Sequence, residues 1–219
     1  MQIIEYKKSE TILDLIALMK NRTGMYIGEY KISAMRSFID GYHFFASTHD
    51  IAIKEVFPQF WYFHEWAMHK YDWGESTAGW KNIILTENGN DEAKALDVFF
   101  EMIDEFKTLK PIKLQKMRIG AENLAYHLSS DYVARDGEGN PIYDDLDEVL
   151  LVEFSHDFGH SYFMLKDNKI MGSSWTTRYK KDASAKKSLA AYFGESSKWE
   201  TLSGDLLDIL NKLVVNSTF

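Results

Sequence analysis

The chain contains no cysteine. That excludes disulfides, cysteine nucleophiles, and zinc or iron–sulfur sites built on thiolate. Proline and glycine are scarce, 3 and 13 in 219 residues, and no Pro-, Ser- or Gly-rich stretch divides the sequence. No flexible linker and no internal repeat is therefore expected. No apolar run approaches the roughly 18 residues that a membrane span needs. The opening MQIIEYKKSE has neither an apolar core nor a small-residue cleavage site, so a secretory signal is not expected and the cytosol is the expected location. Bases are in deficit, 25 Lys and Arg against 33 Asp and Glu, for a formal charge of −8. A general nucleic-acid binder needs a basic face, so this balance argues against one.

What is present suits a folded protein. Apolar residues make up 45% and aromatics 15%, which rules out a largely disordered chain. The first half reads as helical. Ile12, Leu15, Ile16 and Met19 share one face of a helix over 10–20, and 21–31 (NRTGMYIGEYK) reads as a loop. Ser33 is placed to cap a helix to about Ser47, with Met35, Phe38, Ile39, Tyr42 and Phe45 inward. Further helices are expected over 57–71, 77–86 and 92–108. Trp80, Ile83 and Ile84 face inward on the second of these; Asp91 caps the third and Pro111 follows its end.

The second half changes period. VLLVEF (149–154) and SYFML (161–165), joined by SHDFGH, read as an antiparallel hairpin, with a third strand over 169–177 and helices at about 182–193 and 204–215. Helices, then strands, then helices indicate an α+β fold: a helical N-terminal half packed with a small antiparallel sheet and C-terminal helices. The expected division is a mainly helical region over 1–110 and an α+β region over 111–219, with the sharing of one core left open.

Several motifs carry chemistry in other settings. Arg22-Thr23-Gly24-Met25-Tyr26-Ile27-Gly28 resembles the R-P-G-M-Y-I-G segment of gyrase-B-type ATPases, with Thr23 in place of the proline. The helix after it, AMRSFIDGYHFF, lacks the glutamate and asparagine those enzymes require, and the D-G-x-G at Asp136–Gly139 lies far downstream among acids. The plainer reading is a loop whose glycines supply positive φ while Met25, Tyr26 and Ile27 plug the core. His64 and His69 are five apart, about 140° around a helix, where a zinc pair wants four. His156, Asp157 and His160 sit at the hairpin tip, where a metal or a turn are both options. The stretch 57–73 holds eight aromatics in 17 residues, more than one buried stripe needs, so some are available to a groove or an interface.

Charge is segregated along the chain. Eight acids and no Lys or Arg lie between Asp136 and Leu165: Asp136, Glu138, Asp144, Asp145, Asp147, Glu148, Glu153 and Asp157. Lys166 to Lys187 then holds seven bases and two acids. The 91–106 helix adds a second acidic arc with Asp97, Glu101 and Asp104. Solvated faces with cross-strand ion pairs explain such a pattern, and so does a docking surface for a basic protein. Dense like charge opposes folding by self-repulsion but speeds association with an opposite partner. The acid spacing does not match an EF-hand, which argues against calcium.

The stretch GMYIGEYKISAMRSFIDGY, the Trp80-Lys81-Asn82-Ile83-Ile84 helix and ALDVFFEMIDEF together resemble the immunity proteins of bacterial polymorphic-toxin and contact-dependent growth-inhibition systems over about residues 22–106. The resemblance implies a non-catalytic, cofactor-free protein that binds a cognate toxin C-terminal domain, a basic nuclease-type domain, and neutralises it. The residues expected at the interface are Asp136, Glu138, Asp144, Asp145, Asp147, Glu148, His156 and Asp157, with Asp97, Glu101 and Asp104 as a second surface. The alternatives are an enzyme (ATPase-like on the 22–28 loop, or a histidine-centred metal hydrolase) and a small-ligand module on the aromatic 57–73 region.

Overall fold

The computed structural model describes residues 11–49, 51, 56–74, 76–131, 133–176, 180–195 and 198–215. The chain forms two compact units, Met1–Thr108 and Leu109–Phe219. The first is helical among its described residues and the second is built on an antiparallel sheet, so the α+β expectation holds. Among the described residues no helix is long and apolar enough to cross a membrane. The opening residues 1–10 and the expected strand end at 177 lie outside the described residues.

In the first unit, α1 (Ile12–Met19) opens with a capping box in which Thr11 and Asp14 bond to each other's backbone N–H groups. Residues 21–31, expected as a loop, are partly helical: a 3-10 turn (Lys20–Arg22) runs into α2 (Thr23–Ile27). Two features close that short helix. Buried Thr23 donates its hydroxyl to the Met19 carbonyl at 3.0 Å, and Gly28, at φ 77°, lets the chain turn out with its N–H on the Gly24 carbonyl. The expectation that Met25 and Tyr26 plug the core is overturned: both are exposed, Met25 by 74%. Five residues make little more than one turn, and Thr23 takes its buried position.

α3 (Ile32–Thr48) starts at Ile32, and Ser33 is not its cap. The Ser33 N–H and hydroxyl instead donate to the Glu92 carboxylate at 3.0 and 2.7 Å, so an acid on another helix satisfies this helix start. Those bonds, the hydroxyl's first, hold the Glu92 carboxyl below its usual pKa. The buried stripe of α3 is Ile32, Met35, Ile39 and Ala46. Phe45, expected inward, is exposed and stacks on His49 at 4.3 Å.

The expected 57–71 helix is a 3-10 turn (Phe60–Tyr62) followed by α4 (Phe63–Lys70). α5 (Trp80–Glu87) and α6 (Glu92–Phe106) complete the unit, with Asp91 capping α6 as expected by accepting from the Ala93 and Lys94 N–H groups. Phe63 is fully buried at the centre. Its ring lies 5.4–5.7 Å from those of Phe60, Trp80, Phe99 and Phe106, mostly edge to face.

The second unit has strand order β4-β3-β2-β1-β5, every neighbour antiparallel. β1 (Pro111–Arg118) and α7 (Ala121–Ser129) were not legible as elements. β2 (Glu148–Phe154), β3 (Gly159–Lys166) and β4 (Lys169–Thr176) form the expected meander, α8 (Asp182–Phe193) follows, β5 (Glu200–Thr201) pairs with β1, and α9 (Leu206–Val215) lies against β1 and β4. β2 is buried at 149–152 without alternation, as befits a central strand covered on both faces. Met117, Val149, Leu151 and Met164 form one core with Leu146, Ala185, Leu189 and Phe193.

Candidate functional site

The predicted interface residues belong to three different elements. Asp136 to Glu148 lie in and just after the excursion between α7 and β2. His156 and Asp157 lie at the opposite end of β2, whose seven residues place them about 20 Å away at the usual strand rise. Asp97, Glu101 and Asp104 belong to α6 in the first unit.

The excursion is solvent-facing over most of 134–147 yet well held. Val133 and Leu146 are buried at its ends. Arg135 bridges to Pro141, and its guanidinium donates to the carbonyls of Gly139 (3.0 Å) and Leu128 (2.9 Å). Asp136 folds the tip: its carboxylate accepts the N–H groups of Glu138 and Asn140 and the Asn140 side-chain amide. These bonds, led by Asn140, hold the Asp136 carboxyl below the ordinary aspartate value, so the turn favours the anion. The D-G-x-G letters thus serve a turn whose acid is occupied by its own backbone. Tyr143 anchors the return against β4. A Cβ on Gly172 would come within 2.7 Å of Met164 and 2.9 Å of the Tyr143 ring, so any larger residue there has to push the Met164 methyl and that ring aside.

The acids divide by whether a base reaches them. Lys166 of β3 donates to Asp145 at 2.7 Å and Asp147 at 3.0 Å. Asp147 also accepts the Asp167 N–H at 2.8 Å, the leading reason its carboxyl lies below the usual value. Glu148 pairs with Lys116 of β1 at 3.0 Å, with the Arg118 Nε at 4.0 Å. The last of these groups line a cleft of about 450 Å³ with mixed charge: Lys116, Arg118, Asp147, Glu148, Leu165, Asp167 and Asn168. Glu138 and Asp144 are exposed, as is Ile142 between them at 52%.

At the far end of β2, His156 and Asp157 take positive φ (60° and 57°) in the turn and are exposed. His160 is buried on β3, 3.8 Å from Glu153. One tip histidine is therefore exposed and the other buried. Among the described residues no three His, Asp or Glu side chains gather to hold a metal ion. His64 donates Nε2–H to the Ser76 carbonyl at 2.8 Å, and His69 is half-buried, so that pair serves the helix packing.

On α6, Asp97 accepts the Tyr30 hydroxyl at 2.5 Å and Asp104 the Lys20 ammonium at 2.5 Å, while Glu101 is exposed between them. The aromatic stretch is mostly core, with Phe57, Phe60, Tyr62, Phe63 and Trp66 buried; Trp61 is exposed and donates to Gln59 at 3.2 Å. Sequence reasoning missed the exposed Met25, Tyr26 and Phe44 as candidates. For Met25 and Tyr26 a clue lay in the crowding of large apolar residues onto a five-residue element. No family model, no curated protein and no solved structure matches the chain.

Proposed function

We propose that this protein is a binding protein of the immunity type, which neutralises a basic toxin domain by occupying its substrate surface and makes or breaks no bonds itself. The observation that carries the reading is the 134–147 excursion. It is long, faces solvent and carries acids, and its conformation is held from within by Arg135, Asp136 and Tyr143. Loops of such length in compact domains are usually functional, and one ordered in advance loses little freedom on binding. Glu138 and Asp144 supply the charge that meets the toxin, and Ile142 an apolar contact between them. Asp136, Asp145, Asp147 and Glu148 add to the field but serve chiefly to hold the loop and the sheet edge. A basic surface evolved to hold nucleic-acid phosphates accepts carboxylates in the same places.

The test is protection. Cells expressing the cognate toxin domain survive with the wild-type protein and die with E138K/D144K, while the purified variant keeps its circular dichroism. Full protection by the folded variant would remove the loop from the interface.

A further inference from the structure

In the sheet unit, α7 is joined to the end of α8 through a buried histidine. The last carbonyls of a helix have no partner inside it. Here α7 supplies two donors one turn apart. The Asn123 side-chain amide donates to the Phe193 carbonyl at 2.9 Å, and His127 Nδ1–H to the Tyr192 carbonyl at 3.2 Å. The His127 ring is 3% exposed and stacks on the Phe193 ring at 4.7 Å. A carbonyl only accepts, so Nδ1 carries the proton and Nε2 of the neutral ring is a bare lone pair. That Nε2 is buried and has no hydrogen-bond partner among the described residues. A second acceptor, the Tyr143 carbonyl, also bears on the ring. The neutral ring therefore meets two carbonyls with one N–H. Tyr143 is also where the 134–147 excursion is anchored, with its own ring over Gly172. Among the described residues no charged side chain bears on His127. Glu122 of α7, Asp131 after it, Arg135 and Asp144 of the excursion and Glu195 after α8 are all exposed, and Arg135 is occupied by the Gly139 and Leu128 carbonyls. The other titratable groups on these elements are the phenols of Tyr143 and Tyr192.

We propose that His127 is a pH-sensitive latch on the 134–147 excursion: with its ring neutral, Tyr143 stays closed over the α7–α8 joint, and protonation of Nε2 releases Tyr143 and frees the excursion. Two carbonyls favour the imidazolium, but burial opposes it more strongly, so the closed joint holds the neutral ring. An opening that wets the ring removes the burial, and the ring then takes a proton at its ordinary pKa of about 6.5. The open form binds more protons, so acid shifts the balance toward it. The excursion is the part that gives. It faces solvent over most of its length, whereas Leu189 and Phe193 of α8 are fixed in the core against the sheet. The consequence for binding rests on the proposed toxin-binding reading; the latch itself does not. Under that reading the loop presents Glu138 and Asp144 already ordered at neutral pH and loses that order in mild acid.

The test is amide hydrogen exchange of the free, full chain at pH 7.5 and pH 5.5, expressed as protection factors so that the intrinsic pH dependence of exchange cancels. Protection over 134–147 should fall severalfold at the lower pH, while that of 149–152 in β2 stays level. Asp136 stays ionised across this range, because its pKa lies below the ordinary aspartate value, so the tip of the loop does not titrate with the latch. H127N keeps a donor for Tyr192 and cannot charge, so its loop protection should not fall. A second readout needs no variant: the imidazole carbon resonances of His127 in the wild-type chain should titrate over the pH range in which the loop loosens. Loop protection that stays level in the wild type, or that falls as far in folded H127N, would overturn the latch and leave the toxin-binding reading intact. So would His127 resonances that titrate outside that range. Failure of the wild-type chain to bind the toxin domain at pH 7.5 would overturn the binding reading and leave the latch standing.

Discussion

Residues 1–108 hold 17 acids against 11 bases; residues 109–219 hold 16 against 14. The helical unit therefore carries most of the net negative charge, although the densest acidic run in the sequence lies in the other. Topology explains the reversal. In the sheet unit, antiparallel pairing lays β1 and β3 on either side of β2, which sets Lys116 against Glu148 and Lys166 against Asp145 and Asp147. In the helical unit, α6 turns its acids outward in a stripe, and among the described residues Lys20 and Lys70 reach across to it, on Asp104 and Glu105. Charge clustered along a chain is thus a poor guide to charge clustered in space when strands fold back on themselves.

The two units also differ in what holds them. The helical unit turns on one aromatic centre, so Phe63→Ala should be the most damaging single change, costing about 3–5 kcal/mol by urea denaturation. A cost below about 1 kcal/mol would show that the ring cluster does not organise this unit. In the sheet unit, Gly172→Ala should cost about 1–3 kcal/mol by forcing Tyr143 off β4. It should also speed amide exchange over 134–147, whereas Phe63→Ala should leave that exchange unchanged. Smaller again is Glu92→Ala, which leaves the start of α3 without its borrowed cap and should cost about 1 kcal/mol.

The smallest expected effect is on pH. His127 is buried against Phe193, donates Nδ1–H to the Tyr192 carbonyl, and has its pKa lowered chiefly by burial. Its folded pKa lies below the unfolded value of about 6.5, so the unfolded chain binds more protons as the pH drops below that value. Stability contributed by neutral His127 is therefore complete at pH 8 and declines on acidification. H127N keeps a donor for Tyr192 and cannot charge, so its stability should fall less between pH 7 and 5. His43 in the helical unit, also lowered by burial, should leave a residual slope. An identical slope in H127N would assign the whole effect to other groups.

Much of the fold was legible. α6 was readable because its cap and its apolar period agree, with Asp91 in place and Leu96, Phe99, Phe100, Ile103 and Phe106 buried as the spacing requires. The β2–β3 hairpin was readable from its apolar runs and polar turn. β1 was hidden because PIKLQKMR alternates weakly, and the ion pair of its Lys116 with Glu148 is made across the sheet. α2 was hidden by its glycines, which look like loop residues until Gly28 is seen to close a helix. Of the candidate site, the acids were legible as letters but not as partners. No local pattern reveals that Lys166 covers two of them.

The central claim is that, of the loop's carboxylates, the ones left to solvent meet the partner. The most direct measurement is the association rate of the toxin domain with the wild-type chain and with E138Q/D144N across a salt series, since replacing each carboxylate by its own amide removes charge with little change of shape. The account predicts that the variant associates severalfold more slowly at low ionic strength and that the two curves converge as salt screens the interaction. Two curves that coincide at every salt concentration would contradict it.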